Sequence, residues 1–248
     1  MNVIFRINKV IFLSIFILLS SCKIIDVDEE KNYLINLSSV GGITSYKGIP
    51  YTGKMVKYVD DEKTQLKWEK TYKEGKLKGL SEEYNRDGQL KSRRTYKEGK
   101  LNGLSEEYNR DGQLKSRRTY YEGEEEEREY YYYYENGKLE SRTTYKEDKL
   151  NGLYETYYEN GQLEYRGTYK DEKEDGQIER FSENGQLESR GTYKDGKEDG
   201  QWEYYFDGQL ESRGTYKDGK EDGQWELYDE NGKFVEKVRF IDGVKQDD

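Results

Sequence analysis

Polar and apolar side chains alternate along the segments that follow each Asn-Gly or Asp-Gly step. In residues 187–194, Leu187, Ser189, Gly191 and Tyr193 share one face, and the Glu, Arg, Thr and Lys residues that alternate with them share the other. A period of two sustained over a whole segment predicts a half-buried β-strand rather than a helix. The pattern therefore predicts an all-β protein.

Glycines punctuate these predicted strands at regular intervals. One series follows Asn or Asp and recurs every 23–25 residues: Gly88, Gly112, Gly137, Gly161, Gly185, Gly208 and Gly232. A second series runs in parallel with it: Gly53, Gly79, Gly103, Gly152, Gly176, Gly200 and Gly223. Asn-Gly and Asp-Gly favour type I′ hairpin turns, which need positive φ at both central residues. Each unit is therefore predicted to contain two strands and two turns.

Whole units are duplicated along the chain. Residues 73–96 and 97–120 differ only at Lys78 and Asn102, and residues 184–203 and 207–226 differ only at Asn184 and Asp207. We predict an array of about eight units of 23–25 residues over residues 42–248, preceded by a tether over residues 22–41. Such internal periodicity is typical of repeat architectures.

A two-residue turn at 160–161 fixes which residues face each other across a hairpin. It sets Glu155 opposite Arg166. Applied to the other units, the same register gives the pairs Glu82–Arg93, Glu106–Arg117, Glu179–Arg190, Glu226–Lys237, Tyr154–Gly167, Ile178–Gly191, Ser81–Arg94 and Ser105–Arg118. Large side chains thus face glycine and small ones face arginine, which indicates size complementarity across the strand pair. Trp202 meets Gly214 only if the shorter turn at 207–208 shifts the register by one residue.

The first 22 residues have the features of an export signal. Arg6 and Lys9 precede a short apolar run over residues 10–19, which is too short to span a bilayer and fits a signal peptide. Residues 19–22, Leu-Ser-Ser-Cys, resemble the lipobox of bacterial lipoproteins. This resemblance implies a signal peptide over residues 1–21 and a lipidated Cys22, whose acyl chains would anchor the chain stably in the bacterial envelope, at the outer membrane or cell surface. The alternative is an ordinary secretory signal with an incidental cysteine.

The composition, taken alone, is typical of a disordered chain. Hydrophobic residues make up 32% of the sequence, charged residues make up 38%, and the mean hydropathy is −1.25. The 26 tyrosines oppose that interpretation because they supply apolar area, and the single proline shows that the glycines are not part of a Pro-rich linker. We therefore expect an ordered chain.

Charge and residue types exclude several classes of function. The formal charge is −10, and −12 without residues 1–21, so we expect no nucleic-acid partner. The chain has no histidine, and Cys22 is its only cysteine. The commonest general base and the usual zinc ligands are therefore missing. We expect no enzymatic activity, no catalytic residues, no cofactor and no metal site.

The fourth unit departs from the pattern. Glu127 stands where a turn glycine is expected, and Tyr130, Tyr131, Tyr132, Tyr133 and Tyr134 follow without a break. Five consecutive tyrosines in a strand must place rings on both faces. One interpretation is sequence divergence of a single unit, whose acidic loop is simply solvated. The other is a local binding patch, because tyrosine combines a large contact area with a polar tip.

Two further sets of residues are candidates for chemistry. Asp195, Glu198 and Asp199 lie at a predicted loop tip, but they lack the alternating oxygen spacing of a calcium loop. The three tryptophans, Trp68, Trp202 and Trp225, are predicted to pack within the sheet rather than to form ligand platforms.

The recurring unit resembles a known repeat. The pattern G-x-W-E-x-Y followed by NGQLESRGTYKDGK is similar to the bacterial MORN-variant repeat, which is found in proteins labelled YwqK-family antitoxins. The resemblance implies an elongated, single antiparallel meander of β-hairpin repeats. The predicted lipid anchor and the repetitive sheet together suggest an envelope-anchored scaffold that binds a protein or a glycan. The alternative, implied by the family label, is an antitoxin or immunity protein of a toxin–antitoxin system that neutralises a partner toxin by binding it.

Overall fold

The computed structural model describes residues 24–26, 37–60 and 62–246. The predicted signal peptide and Cys22 lie outside these residues. Within the described residues the regular elements are all β-strands, which confirms the predicted fold class. The chain divides into two compact units, residues 1–125 and residues 126–248, and each is described by itself.

The first unit is built from an antiparallel meander. Its strands are β1 (Ile24–Asp26), β2 (Leu37–Val40), β3 (Ile43–Tyr46), β4 (Ile49–Pro50), β5 (Gly53–Tyr58), β6 (Leu66–Lys73), β7 (Lys76–Tyr84), β8 (Leu90–Lys97), β9 (Lys100–Tyr108) and β10 (Leu114–Tyr121). Strands β5 to β10 pair in chain order, each antiparallel to the next. Strands β2, β3 and β4 form a separate small antiparallel sheet.

One pairing in the first unit departs from the hairpin pattern. Ile24–Asp26, within the predicted tether, forms β1 and pairs in parallel with β5, so that Ile25 lies opposite Met55. Ile25 is buried together with Tyr51 and Met55, and Trp68 packs against this cluster. A run of three residues is too short for periodicity to predict a strand.

The second unit continues the same pattern. Its strands are β11 (Glu124–Tyr133), which begins just before the boundary, β12 (Leu139–Lys146), β13 (Lys149–Tyr157), β14 (Leu163–Lys170), β15 (Lys173–Phe181), β16 (Leu187–Lys194), β17 (Lys197–Glu198), β18 (Gly200–Phe206), β19 (Gln209–Lys217), β20 (Lys220–Glu221), β21 (Gly223–Tyr228), β22 (Phe234–Ile241) and β23 (Val244–Lys245). From β11 to β23 the pairing is antiparallel throughout.

The predicted hairpin register is confirmed. Glu155 lies opposite Arg166, and the other predicted pairs are found as expected. Trp202 does lie opposite Gly214, because an irregularity between Tyr204 and Tyr205 supplies the shift of one residue.

The predicted turn type is wrong for most Asn-Gly steps. Gly161 has positive φ but Asn160 does not. The turn closes instead by the Gly161 amide donating to the carbonyl of Tyr158 at 2.7 Å and the Tyr158 amide donating to the carbonyl of Gln162 at 2.8 Å. This is a type I turn followed by a left-handed glycine and a bulge, a common longer hairpin loop. The bulge restores the predicted register beyond the turn.

Type I′ geometry occurs at the opposite ends of the hairpins. Both central residues have positive φ in the turns at residues 74–75, 98–99 and 195–196. Both also have positive φ in the shortened turn at residues 207–208. The glycines of the second predicted series are not turn residues. Gly79 and Gly176, for example, lie inside β7 and β15 with positive φ, next to irregularities in strand pairing.

An aromatic cluster forms the core of the second unit. Ile178, Trp202 and Trp225 are 1–3% exposed and are surrounded by partly buried tyrosines. The Trp202 ring lies 5.4 Å from that of Tyr193 and 5.7 Å from that of Tyr216, both edge to face. The prediction that the tryptophans pack within the sheet is confirmed.

The glycine at 191 is required by a close approach from the next hairpin. A Cβ atom added there would lie within the indole ring of Trp202, and one added at Gly214 would lie within that of Trp225. The Trp202 indole nitrogen also donates to the carbonyl of Thr192 at 3.2 Å, which fixes the ring across the bare backbone. The size complementarity predicted within hairpins therefore extends between them.

Side chains also join successive turns. The Asn136 amide donates to the carbonyl of Glu159, 23 residues later, at 2.9 Å, and the Asn160 amide donates to that of Glu183 at 2.7 Å. At the other hairpin ends, Lys149 pairs with Asp171 at 3.4 Å. The repeats that contain these residues are thus bonded to their neighbours through side chains at their turns, as expected when a unit is stabilised by its neighbours.

Candidate binding surface

A recurring trio of Glu, Tyr and Arg lines one face of the hairpins. The tyrosine lies two residues after the glutamate on the same strand, so both point to one face. Its hydroxyl donates to the carboxylate in five hairpins: Tyr84–Glu82 (2.8 Å), Tyr108–Glu106 (2.9 Å), Tyr157–Glu155 (2.9 Å), Tyr205–Glu203 (2.7 Å) and Tyr228–Glu226 (2.8 Å). A basic residue then bonds the same carboxylate, as Arg93 does with Glu82 at 2.8 Å.

Hydrogen bonds within the trio shift the pKa values of two of its members. The Tyr228 hydroxyl, Arg213 and Lys237 lower the pKa of Glu226 to about 2. Burial, together with the bond to Glu82, raises the pKa of Tyr84 to about 12. At neutral pH Glu226 is therefore a charged acceptor, and the Tyr84 hydroxyl is a neutral donor.

The tyrosine run of the fourth unit places rings on both faces, as predicted. The Tyr130 ring packs edge to face on Tyr145 at 5.8 Å, whereas the Tyr131 hydroxyl donates to Glu129 on the other face at 2.8 Å. Tyr132 is 55% exposed, and Tyr134 donates its hydroxyl proton to the carbonyl of Tyr157 at 2.6 Å. Tyr132 therefore offers the largest free contact area in the run.

The aberrant fourth unit also changes the ion pairs on the face that carries Tyr131. In the shared register Tyr131, not glutamate, lies opposite Arg142. Arg142 reaches across to the next hairpin and contacts Glu155 at 3.3 Å, which already accepts from Arg166 at 2.8 Å. Glu155 is only 4% exposed. One buried carboxylate thus balances two guanidinium groups.

A groove of about 720 Å³ opens in the first unit at the Asn85 and Asn109 turns. Tyr84 and Tyr108 line it together with five cationic side chains: Lys57, Lys67, Arg86, Lys91 and Arg110. Periodicity alone could not predict this groove, because its lining includes turn residues beyond the alternating strands.

The acidic loop tips show no converging ligand set. Among the described residues, no three His, Cys, Asp or Glu side chains come together as a metal site. Asp199 instead uses its backbone amide to bond the carbonyl of Thr192 at 2.9 Å. The described ranges also contain no helix long and apolar enough to cross a bilayer.

Comparison with protein families gives seven matches to the MORN repeat variant. They cover residues 77–98, 101–120, 129–147, 150–171, 174–195, 198–218 and 221–242, which together exceed half of the chain. The chain belongs to the MORN repeat variant family. A comparison with curated proteins finds no match.

Each MORN match covers one hairpin of the structure. The first, residues 77–98, spans most of β7 and all of β8, and the second, residues 101–120, spans nearly all of β9 and β10. MORN repeat proteins are generally non-enzymatic scaffolds, and the repeats of this chain fit a scaffold that binds other molecules. The predicted patch at Tyr130–Tyr134 remains a prediction.

Proposed function

We propose that this MORN repeat protein is a non-enzymatic scaffold, anchored in the bacterial envelope through a lipid on Cys22, that binds a protein or a glycan. The observation that carries the proposal is the recurrence of the Glu–Tyr–Arg trio in five of the seven hairpins that the repeat matches cover. A partner with its own repetitive chemistry would meet the same groups in each of these five hairpins.

The spacing of the trios supports binding through many weak contacts. Equivalent residues in neighbouring hairpins are two strands apart, or roughly 9.6 Å at about 4.8 Å per strand. Contacts made in parallel at this spacing combine into useful affinity even when each is weak. A scaffold of this kind needs no single fixed site.

Deletion of one repeat tests this proposal. Removing residues 97–120 joins Tyr96 to Tyr121, and the Glu122-Gly123 turn then replaces the Glu98-Gly99 turn with similar backbone angles. We expect circular dichroism to show a retained β-sheet, and affinity for the main partner captured from envelope extracts to fall about 3- to 10-fold in a biosensor titration, because one of several parallel contacts is lost.

The antitoxin alternative, implied by the YwqK label, predicts the opposite pattern. A toxin held at one focused site would use the tyrosine run, where Tyr132 is exposed. Replacing Tyr130–Tyr134 with alternating Thr and Ser would then abolish binding, and deleting residues 97–120 would change little. That outcome, with both variants still β-structured, would reject the distributed scaffold.

Lipidation of Cys22 has its own test. A fatty-acid analogue supplied to cells should label the wild-type chain and should not label Cys22→Ser, because the sole thiol is then lost. Membrane fractions should retain the wild type and release the variant. Labelling of the variant, or a mature N-terminus at another residue, would show that the anchor is wrong.

A further inference from the structure

The two units carry opposite net charge. Residues 1–125 contain 23 Lys and Arg against 19 Asp and Glu, or 21 against 19 without residues 1–21, whereas residues 126–248 contain 19 against 33. The overall charge of −10 conceals this difference. Charge asymmetry between halves of a chain suggests an interaction with a charged surface.

The asymmetry is concentrated at one position of the longer hairpin turns. Arg86 and Arg110 follow the first turn residue in the first unit. The equivalent position in the second unit is glutamate in four turns: Glu135, Glu159, Glu183 and Glu230. The turn glycines that follow have φ of 73–89° in both units, so the backbone is alike while the charge at this position is reversed. The next turn residue also differs, since it is aspartate in the first unit and asparagine in the second.

The strand residue that follows each turn reverses in the same way. Lys91 and Lys115 of the first unit correspond to glutamates in the second: Glu140, Glu164, Glu188 and Glu211. Residues 85–91 and 109–115 of the first unit each carry a net charge of +1, because Asp87 and Asp111 offset one cation in each turn. Residues 158–164 and 182–188 of the second unit each carry a net charge of −2.

The arginine tips border the groove at the Asn85 and Asn109 turns. Its five cationic side chains outnumber the two acidic ones, Glu83 and Asp87, and Glu83 is already paired with Lys91 at 3.2 Å. Arg86 and Arg110 are exposed, and neither side chain makes a hydrogen bond or ion pair within the described part of the chain. Guanidinium groups placed in this way are suited to bind carboxylates.

We propose that the arginine-tipped turn edge of the first unit binds the glutamate-tipped turn edge of the second unit in another copy of the chain. The equal spacing of the two rows of charges supports a second copy of the chain as the binding partner. Arg86 and Arg110 are 24 residues apart, as are Glu159 and Glu183, and each pair spans two strands of the same type of hairpin. Because both edges have the same repeat, one row of carboxylates meets one row of guanidinium groups in register. This self-association depends on neither the lipid anchor nor the external partner.

The association is expected to be salt-sensitive. Pairs between exposed charges are individually weak and are screened within about 8 Å at physiological ionic strength. Several such pairs in register act together. The contact is heterologous, since different surfaces of the two copies meet, so it can propagate from copy to copy.

The test uses biosensor binding between immobilised and soluble copies of the full-length chain in one mild detergent. Wild-type copies should bind each other at about 50 mM salt, and binding should weaken at least ~10-fold at about 500 mM salt. Arg86→Glu with Arg110→Glu gives a chain in which every longer hairpin turn of the Asn-Gly or Asp-Gly type carries glutamate at this position. Glu159→Arg with Glu183→Arg reverses the charge at two adjacent turns of the second unit and leaves Glu135 and Glu230 unchanged. Each substitution places at the turn a residue that the chain itself carries at the equivalent position, so the fold should be kept.

The test depends on which variants bind each other. Each variant should bind itself at least ~10-fold more weakly than the wild type does, and the two variants should bind each other with affinity restored. Lys73→Glu with Lys97→Glu is the matched control, because it changes the net charge equally at exposed positions at the opposite hairpin ends. This control should keep self-association.

Three results would overturn the proposal: no association of the wild type at low salt, no restored binding between the two variants, or an equal loss in the lysine control. If the wild type binds polyglutamate but not itself, the occupant is a different anionic partner and the self-association is rejected.

Discussion

Replacing Gly191 with arginine is expected to lower the free energy of unfolding by about 3–5 kcal/mol, the range for losing a large buried aromatic side chain. A Cβ at this position would overlap the Trp202 ring, so the indole must leave its site. Trp202 is 2% exposed and contacts the rings of Tyr193 and Tyr216, so its displacement opens the core of the second unit. Urea denaturation followed by circular dichroism measures the change.

The first unit shows how the loss can be reversed. There Arg94 lies between Ser81 and Ser105, in the positions of Ile178 and Trp202. Adding Ile178→Ser alone to Gly191→Arg should recover little, because the clash is with Trp202. Adding Trp202→Ser as well should recover part of the stability, since the arginine then has room. Glu188→Arg, at an exposed neighbouring position, is the control and should change stability by less than ~0.5 kcal/mol. A full rescue by Ile178→Ser alone would contradict the observed packing.

Replacing Glu155 with glutamine is expected to cost about 1–3 kcal/mol, more than the same change at Glu82. Breaking a buried ion pair costs about 3–5 kcal/mol, and this value is reduced because Arg142 and Arg166 are 30% and 49% exposed. Glu155 holds both arginines, whereas Glu82 bonds Arg93. Urea denaturation of Glu155→Gln and of the matched Glu82→Gln variant gives the comparison.

A second substitution tests why Glu155 has this role. Tyr131→Glu places a carboxylate opposite Arg142, where the register puts Tyr131. Combined with Glu155→Gln it should recover part of the lost stability, whereas combined with Glu82→Gln it should recover none. Equal costs of the Glu155 and Glu82 variants would show that Arg142 gains nothing from Glu155.

The repeats themselves made much of the fold predictable. Alternation along residues 187–194 predicted the strand, and the positions of Glu155 and Arg166 predicted the register, because each is a local pattern repeated many times. The predicted turn type was wrong for most of these steps because one dipeptide serves two loop geometries. Asp-Gly forms a two-residue turn at residues 207–208, where both φ angles are positive, but at residues 87–88 it ends a longer loop in which only the glycine has positive φ.

Features that depend on contacts between hairpins were not predictable in the same way. Trp202 covers Gly191 because β16 pairs with β18, and the register within a hairpin does not specify this pairing between hairpins. The cationic turn edge at Arg86 and Arg110 was missed for a different reason. A net charge averaged over the chain hides two edges of opposite sign, although aligning the turns by residue reveals them.

The parallel pairing of β1 with β5 has a mechanical consequence. Traction applied to the chain before Ile24 pulls along β1, whose residues Ile24–Asp26 are in register with Lys54–Val56. All three pairs then resist together in shear, instead of opening one at a time as at the end of a hairpin. The ion pair of Asp26 with Lys63 at 2.7 Å adds a cross-link at the same strand. If Cys22 is the point of attachment, a pull from the membrane reaches the repeat array through the pairing of this short strand with β5.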